Sequence, residues 1–310
     1  CSSDLTAQQN ATYTGEASCT TASACHVHDG KHTDWQTTRH SQVGVGCEQC
    51  HGGGSARHQQ VPHRMERRRQ VIDVVVDLIA ATLRIGTPLL LAALGELITE
   101  RSGVLNLGIE GIMYSSAFSG IAAASYSGSL WVGLVVAIVT GLVAGLLLAF
   151  LTVTLGVNQH VAGLGLTLFL FSVSNTVNRI LFTADGGQVR VEPWKSIGVG
   201  GPIFDQYLFT YGTLLIGVPF VWWLVWRSGL GLRIRAVGEN PEAADVAGIH
   251  VARTRYQAIL IGTVFMSLAG AFITLAYVGQ FTINIINGRG WVALALVIFG
   301  RWNVGRCIAG

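Results

Sequence analysis

Apolar runs of about 20 residues, the length that spans a bilayer as an α-helix, recur along the chain after residue 70. Short polar stretches separate them. Because the runs are rich in Gly and Ala and are apolar on every side, they are typical of helices packed together in a bundle. The pattern predicts an all-α fold, a polytopic transmembrane bundle of at least six helices. The predicted spans are 71–98, 108–127, 131–155, 160–182, 208–227 and 256–278, with a seventh, cut helix beginning near Trp291.

The first 63 residues differ in composition from the rest. They are polar and poor in aliphatic side chains, although the whole 310-residue chain is 50% hydrophobic and 12% charged, with 39 Gly. Such a segment cannot bury enough apolar surface to fold without a covalent or metallic organiser. We therefore divide the chain into a mostly irregular N-terminal segment (1–63), a basic junction (64–70) and a membrane domain (71–310). A net charge of +3 gives no general case for binding nucleic acid.

Charge in the connections indicates orientation. The connection 228–255 carries four Arg near helix ends, which places it in the cytoplasm by the positive-inside rule. Six clean helices then put the polar connection 183–207 outside, together with residue 70. The sequence RMERRRQ of the junction favours the cytoplasmic side instead. Either one span is broken or re-entrant, or the remaining charges outweigh the junction.

The stretch GENPEAADVAG has the pattern of a short helix. Asn240 suits the N-cap and Pro241 the first turn. Glu242 and Asp245 would lie near the positive N-terminal end of the helix, and Gly248 suits a left-handed C-terminal cap. We predict a short cytoplasmic helix between two membrane spans, which by itself is compatible with a plain surface helix.

Several polar residues stand beside or inside the apolar runs. Charges so close to a bilayer are usually paired or line a pathway. Glu100 and Arg101 are also compatible with a solvated turn, whereas Glu110 lies inside the start of a run. Three polar residues head another run, where they form an interfacial cap or provide hydrogen bonds for a solute. The candidate path residues are Asn106, Glu110, Asn158, Gln159 and His160.

Cysteine and histidine are concentrated in the N-terminal segment, which holds five of the six Cys and seven of the nine His. Cys47, Cys50 and His51 form C-x-x-C-H, the attachment pattern of a c-type haem. The two thiols bond the vinyl groups and the His reaches the iron. A zinc site and a disulfide are the alternatives. A weaker copy, with five residues between the thiols, consists of Cys19, Cys25 and His26.

The stretch WQTTRHSQVGVGCEQCHGGGSARH (35–58) resembles the multihaem cytochrome c family, whose repeats read W-x-x-S-x-H and then G-V-x-C-x-x-C-H-G. The resemblance implies haem c on the N-terminal segment. In that family the His upstream of the second motif often serves as a distal axial ligand, and the matching position is His40. The implied iron ligands are His51, His40 and His26.

Four stretches, in order, resemble the permease subunits of ABC importers for nucleosides and simple sugars, in the branched-chain amino acid and ribose permease superfamily. The resemblance covers essentially everything after residue 70. The sequence departs from the family pattern at His160, which is usually aliphatic, at Thr167, which is often Asn, and in lacking the final helices. The stretches are TPLLLAALGELITERSGVLNLGIEGIM (87–113), VNQHVAGLGLTLF (157–169), GLRIRAVGENPEAADVAGI (231–249) and GQFTINIINGRGWVALALVIFGRWN (279–303).

This second resemblance implies a multi-pass transport subunit of the bacterial inner membrane, not an enzyme, that forms a path for a nucleoside or simple sugar. The motif E-A-A-x-x-x-G would couple to a separate ATPase, and the chain has no G-x-x-x-x-G-K-[ST] loop of its own. The implied partners are that ATPase, a second permease subunit, an extracytoplasmic substrate-binding lipoprotein and the lipid bilayer. No cofactor is implied for this part. The motif residues are Glu242, Ala243, Ala244 and Gly248.

The alternative function is a membrane-anchored multihaem c-type cytochrome in electron transfer, which needs only one or two anchor helices. Two expectations concern the ends of the chain. We expect Met65 to be the start of a separate permease, with the preceding residues derived from a joined reading frame. We also expect the membrane domain to be incomplete, because the sequence stops soon after an apolar run.

Overall fold

The computed structural model describes residues 17–21, 24–27, 63–182, 189–198 and 205–309, with side chains from residue 72 onward. The chain divides into two compact units, Cys1–Ile72 and Asp73–Gly310. In the first unit, β1 (Ala17–Thr21) and β2 (Ala24–Val27) form an antiparallel hairpin.

Helices account for most of the described chain from residue 63 onward, which confirms the all-α fold. Three of the long helical segments contain a wider π-helical turn. The helices are α1 (His63–Glu100), α2 (Ile109–Ser127), α3 (Leu130–Ala149), α4 (Gln159–Phe182), α5 (Leu208–Gly212), α6 (Val218–Arg227), α7 (Gly229–Glu239), α8 (Pro241–Val246), α9 (Val251–Ala271), α10 (Arg289–Phe299) and α11 (Val304–Ala309). The π-helical turns are Phe150–Thr154 after α3, Thr213–Gly217 between α5 and α6, and Phe272–Val278 after α9. A short antiparallel pair consists of β3 (Ile197–Gly198) and β4 (Asp205–Gln206).

Five helical segments are long and apolar enough to cross a membrane, which confirms the polytopic bundle. The remaining predicted span, α2, is less apolar because it contains Glu110 and several Ser. Since α2 is buried among the other helices along most of its length, it does not need a lipid-compatible surface. The five segments are Ile72–Glu100, Leu130–Thr154, Gln159–Phe182, Leu208–Arg227 and Val251–Val278.

Two glycines let α1 and α9 touch through their backbones. A methyl group added to Gly95 would lie 2.4 Å from the carbonyl oxygen of Gly262, and one added to Gly262 would lie 2.6 Å from that of Gly95. Small residues commonly allow such close approach in membrane bundles. Neither position has room for a side chain.

Replacing Gly262 by alanine is expected to lower the thermal unfolding midpoint of the detergent-solubilised protein, since overpacking costs about 1–3 kcal/mol. Gly165→Ala in α4 is the matched control, because nothing lies within 4 Å of a methyl group there and alanine favours a helix. Differential scanning fluorimetry compares the two variants. Equal midpoints would show that the α1–α9 contact relaxes without cost.

After α9 the chain crosses the bundle once more, first as irregular backbone and then as the helix α10. Two backbone hydrogen bonds tie residues 279–281 to residues 189–191. Residues 282–288 contain neither helix nor strand, and α10 follows directly. We call residues 279–299 the broken span. The predicted seventh helix therefore exists, but it is only 11 residues long because the first half of this crossing is not helical.

The helix ends form two groups. Near the connection 228–255 lie the end of α1 and the start of α4, joined by a hydrogen bond from Leu105 N to Gln159 Oε1 at 2.6 Å. We call this the arginine-rich end. At the opposite end the ring of Trp131, at the start of α3, lies 5.1 Å from that of Trp194. The chain alternates between the two ends from α1 to α9. The broken span comes after these six crossings, so it does not resolve the orientation conflict raised by the basic junction.

Candidate functional site

The turn between α1 and α2 is held by buried polar groups. Asn106 N donates to Glu96 Oε1 at 2.9 Å, and Asn106 Oδ1 accepts from Gly108 N at 2.9 Å. The amide nitrogen of Asn106 also contacts Met266 Sδ at 3.3 Å. Glu96 and Asn106 are completely buried. Asn106 therefore organises this turn from inside the bundle.

The other polar candidates stand at the start of α4. Gln159 anchors α4 to the α1–α2 turn through Leu105 N, as described above. Asn158 Oδ1 accepts from His160 N at 2.9 Å, which is a local cap. Asn158 and His160 are exposed at the arginine-rich end. The structure thus places these two residues at the surface, while the side chain of Gln159 reaches the turn that contains Asn106.

Glu110 caps a helix that is distant in sequence. Its Oε1 accepts from Gly288 N at 2.8 Å and its Oε2 accepts from Gly290 N at 2.7 Å. Gly288 is the N-cap of α10, so the carboxylate satisfies donors that a helix start leaves unpaired and lies at the positive end of the helix dipole. Glu110 is only 4% exposed. It fixes the point at which the broken span becomes helical.

Tyr114 fastens the irregular half of the broken span. Its hydroxyl donates to Asn175 Oδ1 of α4 at 2.7 Å. Its ring stacks on Phe171 with centroids 4.0 Å apart and packs against Phe281 at 5.2 Å. Tyr114 is completely buried. Together with Glu110 it attaches the broken span to α2 at two levels.

Charged residues at the end of α1 are hydrogen-bonded to Trp302. Glu100 Oε2 accepts from Trp302 Nε1, and Arg101 donates to Trp302 O at 2.8 Å. The guanidinium groups of Arg101 and Arg235 lie over the ring of Trp226, at 5.4 and 5.0 Å from its centroid. Burial, and then the nearby charge of Arg235, lower the pKa of Arg101 from its ordinary value. These contacts join α1, α6, α7 and the end of the broken span.

The predicted short helix is present as α8, which confirms its capping pattern. Asn240 Oδ1 accepts from Ala243 N at 3.0 Å, and Gly248 has a φ of 82°. Ala244 is buried at 4% exposure and packs inward, so the two alanines of the motif do not share a face. The exposed surface of α8 and the residue after it consists of Glu242, Ala243, Asp245, Val246 and Ala247.

The helix α8 has a rigid connection to the bundle through α7. A methyl group on Gly238, near the end of α7, would lie 2.1 Å from the carbonyl oxygen of Arg101. Arg255 Nε, at the start of α9, donates to Ser102 O at 3.4 Å. The helices on either side of α8 therefore both contact the α1–α2 turn, which also contains Asn106.

An apolar cavity of about 350 Å³ opens between α1, α3, the α5–α6 segment and α9. Apolar side chains form most of its wall, and Thr213 is the only polar side chain among its lining residues in the described part. A polyhydroxylated solute would lose hydrogen bonds to water there without replacement. This cavity is therefore unsuited to a sugar or nucleoside. Its aromatic lining residues are Trp131, Trp194, Phe209, Phe220 and Phe265.

The haem hypothesis falls almost entirely outside the described residues. Cys19, Cys25 and His26 lie in the β1–β2 hairpin, where the backbone register pairs Cys19 with Cys25 and Ser18 with His26. The residues of the stronger motif are outside the described ranges. They are His40, Cys47, Cys50 and His51.

Four residues that sequence reasoning missed belong to these sites. Glu96 is the buried partner of Asn106, and only tertiary structure brings it to the turn. Val246 is 91% exposed on α8. It lies three residues after Ala243, and this spacing, which makes two side chains neighbours on a helix surface, could have indicated that both are exposed together. Asn284 and Asn287 have φ values of 64° and 48° in the broken span. The stretch NIING, with two Asn before a Gly, is the pattern that could have indicated irregular backbone there.

Residues 78–310 match the family described as "Branched-chain amino acid transport system / permease component". The match begins after the N-terminal segment and covers all the described spans from the middle of α1 onward. No solved structure matches the chain. The comparisons give the haem hypothesis no support.

Several curated proteins are similar to this chain. A candidate glucose ABC transporter permease protein, TsgC13 of Haloferax volcanii, is 39% identical over 247 residues, which are 75% of this chain and 73% of the relative. The nucleoside ABC transporter permease protein NupC of Lactococcus lactis is 33% identical over 247 residues, 75% of this chain and 78% of the relative. The guanosine ABC transporter permease protein NupQ of Bacillus subtilis is 30% identical over 248 residues, and the match covers 75% of this chain and 78% of the relative.

Proposed function

Because the chain belongs to the family of permease components of branched-chain amino acid transport systems, we propose that it forms the path of an ATP-driven importer for a neutral nucleoside or simple sugar. The observation that carries this proposal is that relatives covering three quarters of the chain have glucose, guanosine or nucleosides in their names. The chain itself is a multi-pass membrane transport subunit of the inner membrane and not an enzyme.

A neutral solute is compatible with the electrostatics of the broken span. The start of a half-helix within a membrane is a natural site for an anionic group. Here the two carboxylate oxygens of Glu110 already accept hydrogen bonds from the N–H groups of Gly288 and Gly290. A second negative charge at this position would be repelled. This favours solutes that are recognised by neutral hydrogen-bonding groups.

The coupling role of α8 rests on its exposed apolar surface. Ala243, Val246 and Ala247 are exposed, and Val246 is 91% so. A helix that projects small apolar side chains at one end of a membrane bundle suits a groove on a partner. We assign that partner as the ATPase subunit, with α7 transmitting its motion to the α1–α2 turn. Of the motif residues, Glu242, Ala243 and Gly248 would contact the ATPase, while Ala244 holds α8 to the bundle.

The remaining partners follow from the same proposal. Hydrolysis of ATP takes place on a separate chain, a second permease subunit completes the path, and an extracytoplasmic binding lipoprotein delivers the solute. The cytochrome alternative required only one or two anchor helices, fewer than the five membrane-length segments present. A covalent haem on residues 1–63, and their origin in a joined reading frame, stay predictions.

Reconstituted vesicles test the function directly. Vesicles that contain this chain, its second permease subunit, the ATPase and the binding protein are expected to accumulate labelled glucose or guanosine only when ATP is supplied to the ATPase. Omitting the ATPase is the control and should reduce accumulation to the level of empty vesicles. Transport at full speed without the ATPase would overturn the importer assignment.

A further inference from the structure

The irregular half of the broken span runs deep into the bundle. Gln280 forms a backbone bridge with Arg190, which lines the same cavity as Ala124 near the end of α2. Gly288 is bonded to Glu110 at the start of α2. Roughly four helical turns, or about 20 Å, separate Ala124 from Glu110. Residues 280–288 therefore cover much of the roughly 30 Å hydrocarbon thickness of a bilayer without helical hydrogen bonds.

Polar side chains project from this half. Asn284 and Asn287 are exposed, and Thr282 is half-buried. Within the described residues, the carboxamides of Asn284 and Asn287 accept and donate no hydrogen bond. Irregular backbone and unpaired amides are tolerated at membrane depth only where protein covers them or where they line a water-filled cavity. This surface is therefore incompatible with lipid.

A second polar surface lies beside it on α4. Ser172 and Thr176 are exposed and Asn175 is half-buried. Tyr114 lies between the two surfaces, because its hydroxyl donates to Asn175 Oδ1 and its ring packs against Phe281 of the broken span, with centroids 5.2 Å apart. The bond uses Asn175 Oδ1, and within the described residues its amide nitrogen has no hydrogen-bond partner. Hydrogen-bond donors and acceptors, from amide and hydroxyl groups, thus lie along neighbouring stretches of α4 and the broken span.

We propose that Asn175, Asn284 and Asn287 form a water-filled, solute-contacting surface that recognises a neutral polyhydroxylated compound by hydrogen bonds. This inference rests on the proposed function and adds the residues that meet the solute. Carboxamides suit sugar hydroxyls because each offers a donor and an acceptor. Ile283, which is 63% exposed and directly precedes Asn284, supplies an apolar contact for the carbon face of the ring.

Thiol labelling tests access to water without requiring transport. Asn284→Cys and Asn287→Cys are introduced singly into the full chain, in membranes that contain the complete importer, and treated with a charged, membrane-impermeant maleimide. Both variants are expected to label above the unsubstituted chain, and glucose or guanosine is expected to slow the labelling. Leu168→Cys is the control, because Leu168 is 70% exposed on the apolar face of α4 and should stay unlabelled. Labelling of Asn284→Cys and Asn287→Cys no faster than that of Leu168→Cys would overturn the proposal and indicate a surface covered by protein.

Asparagine is also favoured at positive φ for purely conformational reasons, and glycine substitution separates the two roles. Asn284→Gly and Asn287→Gly keep the backbone freedom but remove the carboxamide. Each is expected to raise the KM for uptake about threefold to tenfold, the effect of one lost neutral hydrogen bond. Thr140→Val is the control, since the Thr140 hydroxyl bonds to Val136 O within its own helix.

The outcomes separate the two proposals. Unchanged KM in both glycine variants, with normal uptake by the unsubstituted importer, would overturn the solute-contacting role. If the unsubstituted importer moves neither glucose nor guanosine, the proposed solutes are wrong. The labelling result still decides whether the surface formed by Asn284 and Asn287 is accessible to water.

Discussion

Uptake is expected to be lost when Gly248 is replaced by aspartate, while membrane insertion is kept and the thermal unfolding midpoint falls no further than in Gly248→Ala. Gly248 has a φ of 82°, and nothing lies within 4 Å of a side chain built there. Aspartate is among the residues that tolerate this backbone region, so the fold should survive. The new carboxylate would lie beside the exposed apolar surface of α8. Burying it unpaired in a partner's groove would cost several kcal/mol and prevent coupling.

Three companion variants separate docking from strain. Gly248→Ala introduces backbone strain without charge and should retain most uptake. Val246→Asp places the charge directly on the exposed apolar surface and should abolish uptake, whereas Val246→Thr keeps the shape and should change it little. Because Val246 is 91% exposed, neither change should alter the unfolding midpoint. ATP-dependent uptake and ATPase stimulation are measured together. Full uptake by Gly248→Asp and Val246→Asp would remove the coupling role from α8.

Replacing Glu110 by alanine is expected to destabilise the membrane domain by about 2–6 kcal/mol, because one buried and one part-buried backbone donor lose their acceptors at about 1–3 kcal/mol each. These donors are Gly288 N and Gly290 N, at 2.8 and 2.7 Å from the carboxylate. Without them the start of α10 and the irregular half of the broken span lose their attachment to α2. The expected measurement is a large fall in the unfolding midpoint, accompanied by loss of uptake.

Matched variants check that the effect belongs to this contact. Glu110→Gln keeps one acceptor and should be intermediate. Gly290→Ala should also destabilise, because its methyl group would lie 2.7 Å from Glu110 Oε2 and 2.8 Å from Glu110 N. Glu192→Ala removes a glutamate whose side chain is 82% exposed and pairs with the similarly exposed Lys195, so its cost should be within about 0.5 kcal/mol. If Glu110→Ala unfolds at the same temperature as Glu192→Ala, the capping role is wrong.

The membrane spans and α8 could be predicted from sequence because each depends on local information. A run of apolar residues long enough for a bilayer determines a span, and the bounds of α2, Ile109–Ser127, agree with the predicted 108–127 to within one residue. The start of α1 at His63 lies well before the predicted residue 71. The order Asn240, Pro241, Gly248 determines the start and end of α8 through caps made within the same few residues.

The candidate site was predicted only in part, because its contacts join distant positions. Glu110 was recognised as an unusual charge, but its partners Gly288 and Gly290 carry no side chain that a sequence pattern could reveal. Asn106 was selected as a path residue, yet it is buried against Glu96 and holds a turn. The motif alanines looked equivalent, while packing against the bundle buries Ala244 and leaves Ala243 exposed.

The sequence by itself determined that this is a polytopic helical membrane protein with a short capped helix in an arginine-rich connection, since hydropathy and capping act over a few neighbouring residues. Only the tertiary structure decided that the last crossing is half irregular and that a carboxylate from α2 starts its helix. It also decided that Tyr114 of α2 bonds Asn175 of α4 and packs against Phe281 of that crossing. Those features arise where three segments, far apart in sequence, satisfy one another's buried polar groups, and no local pattern specifies which groups will meet.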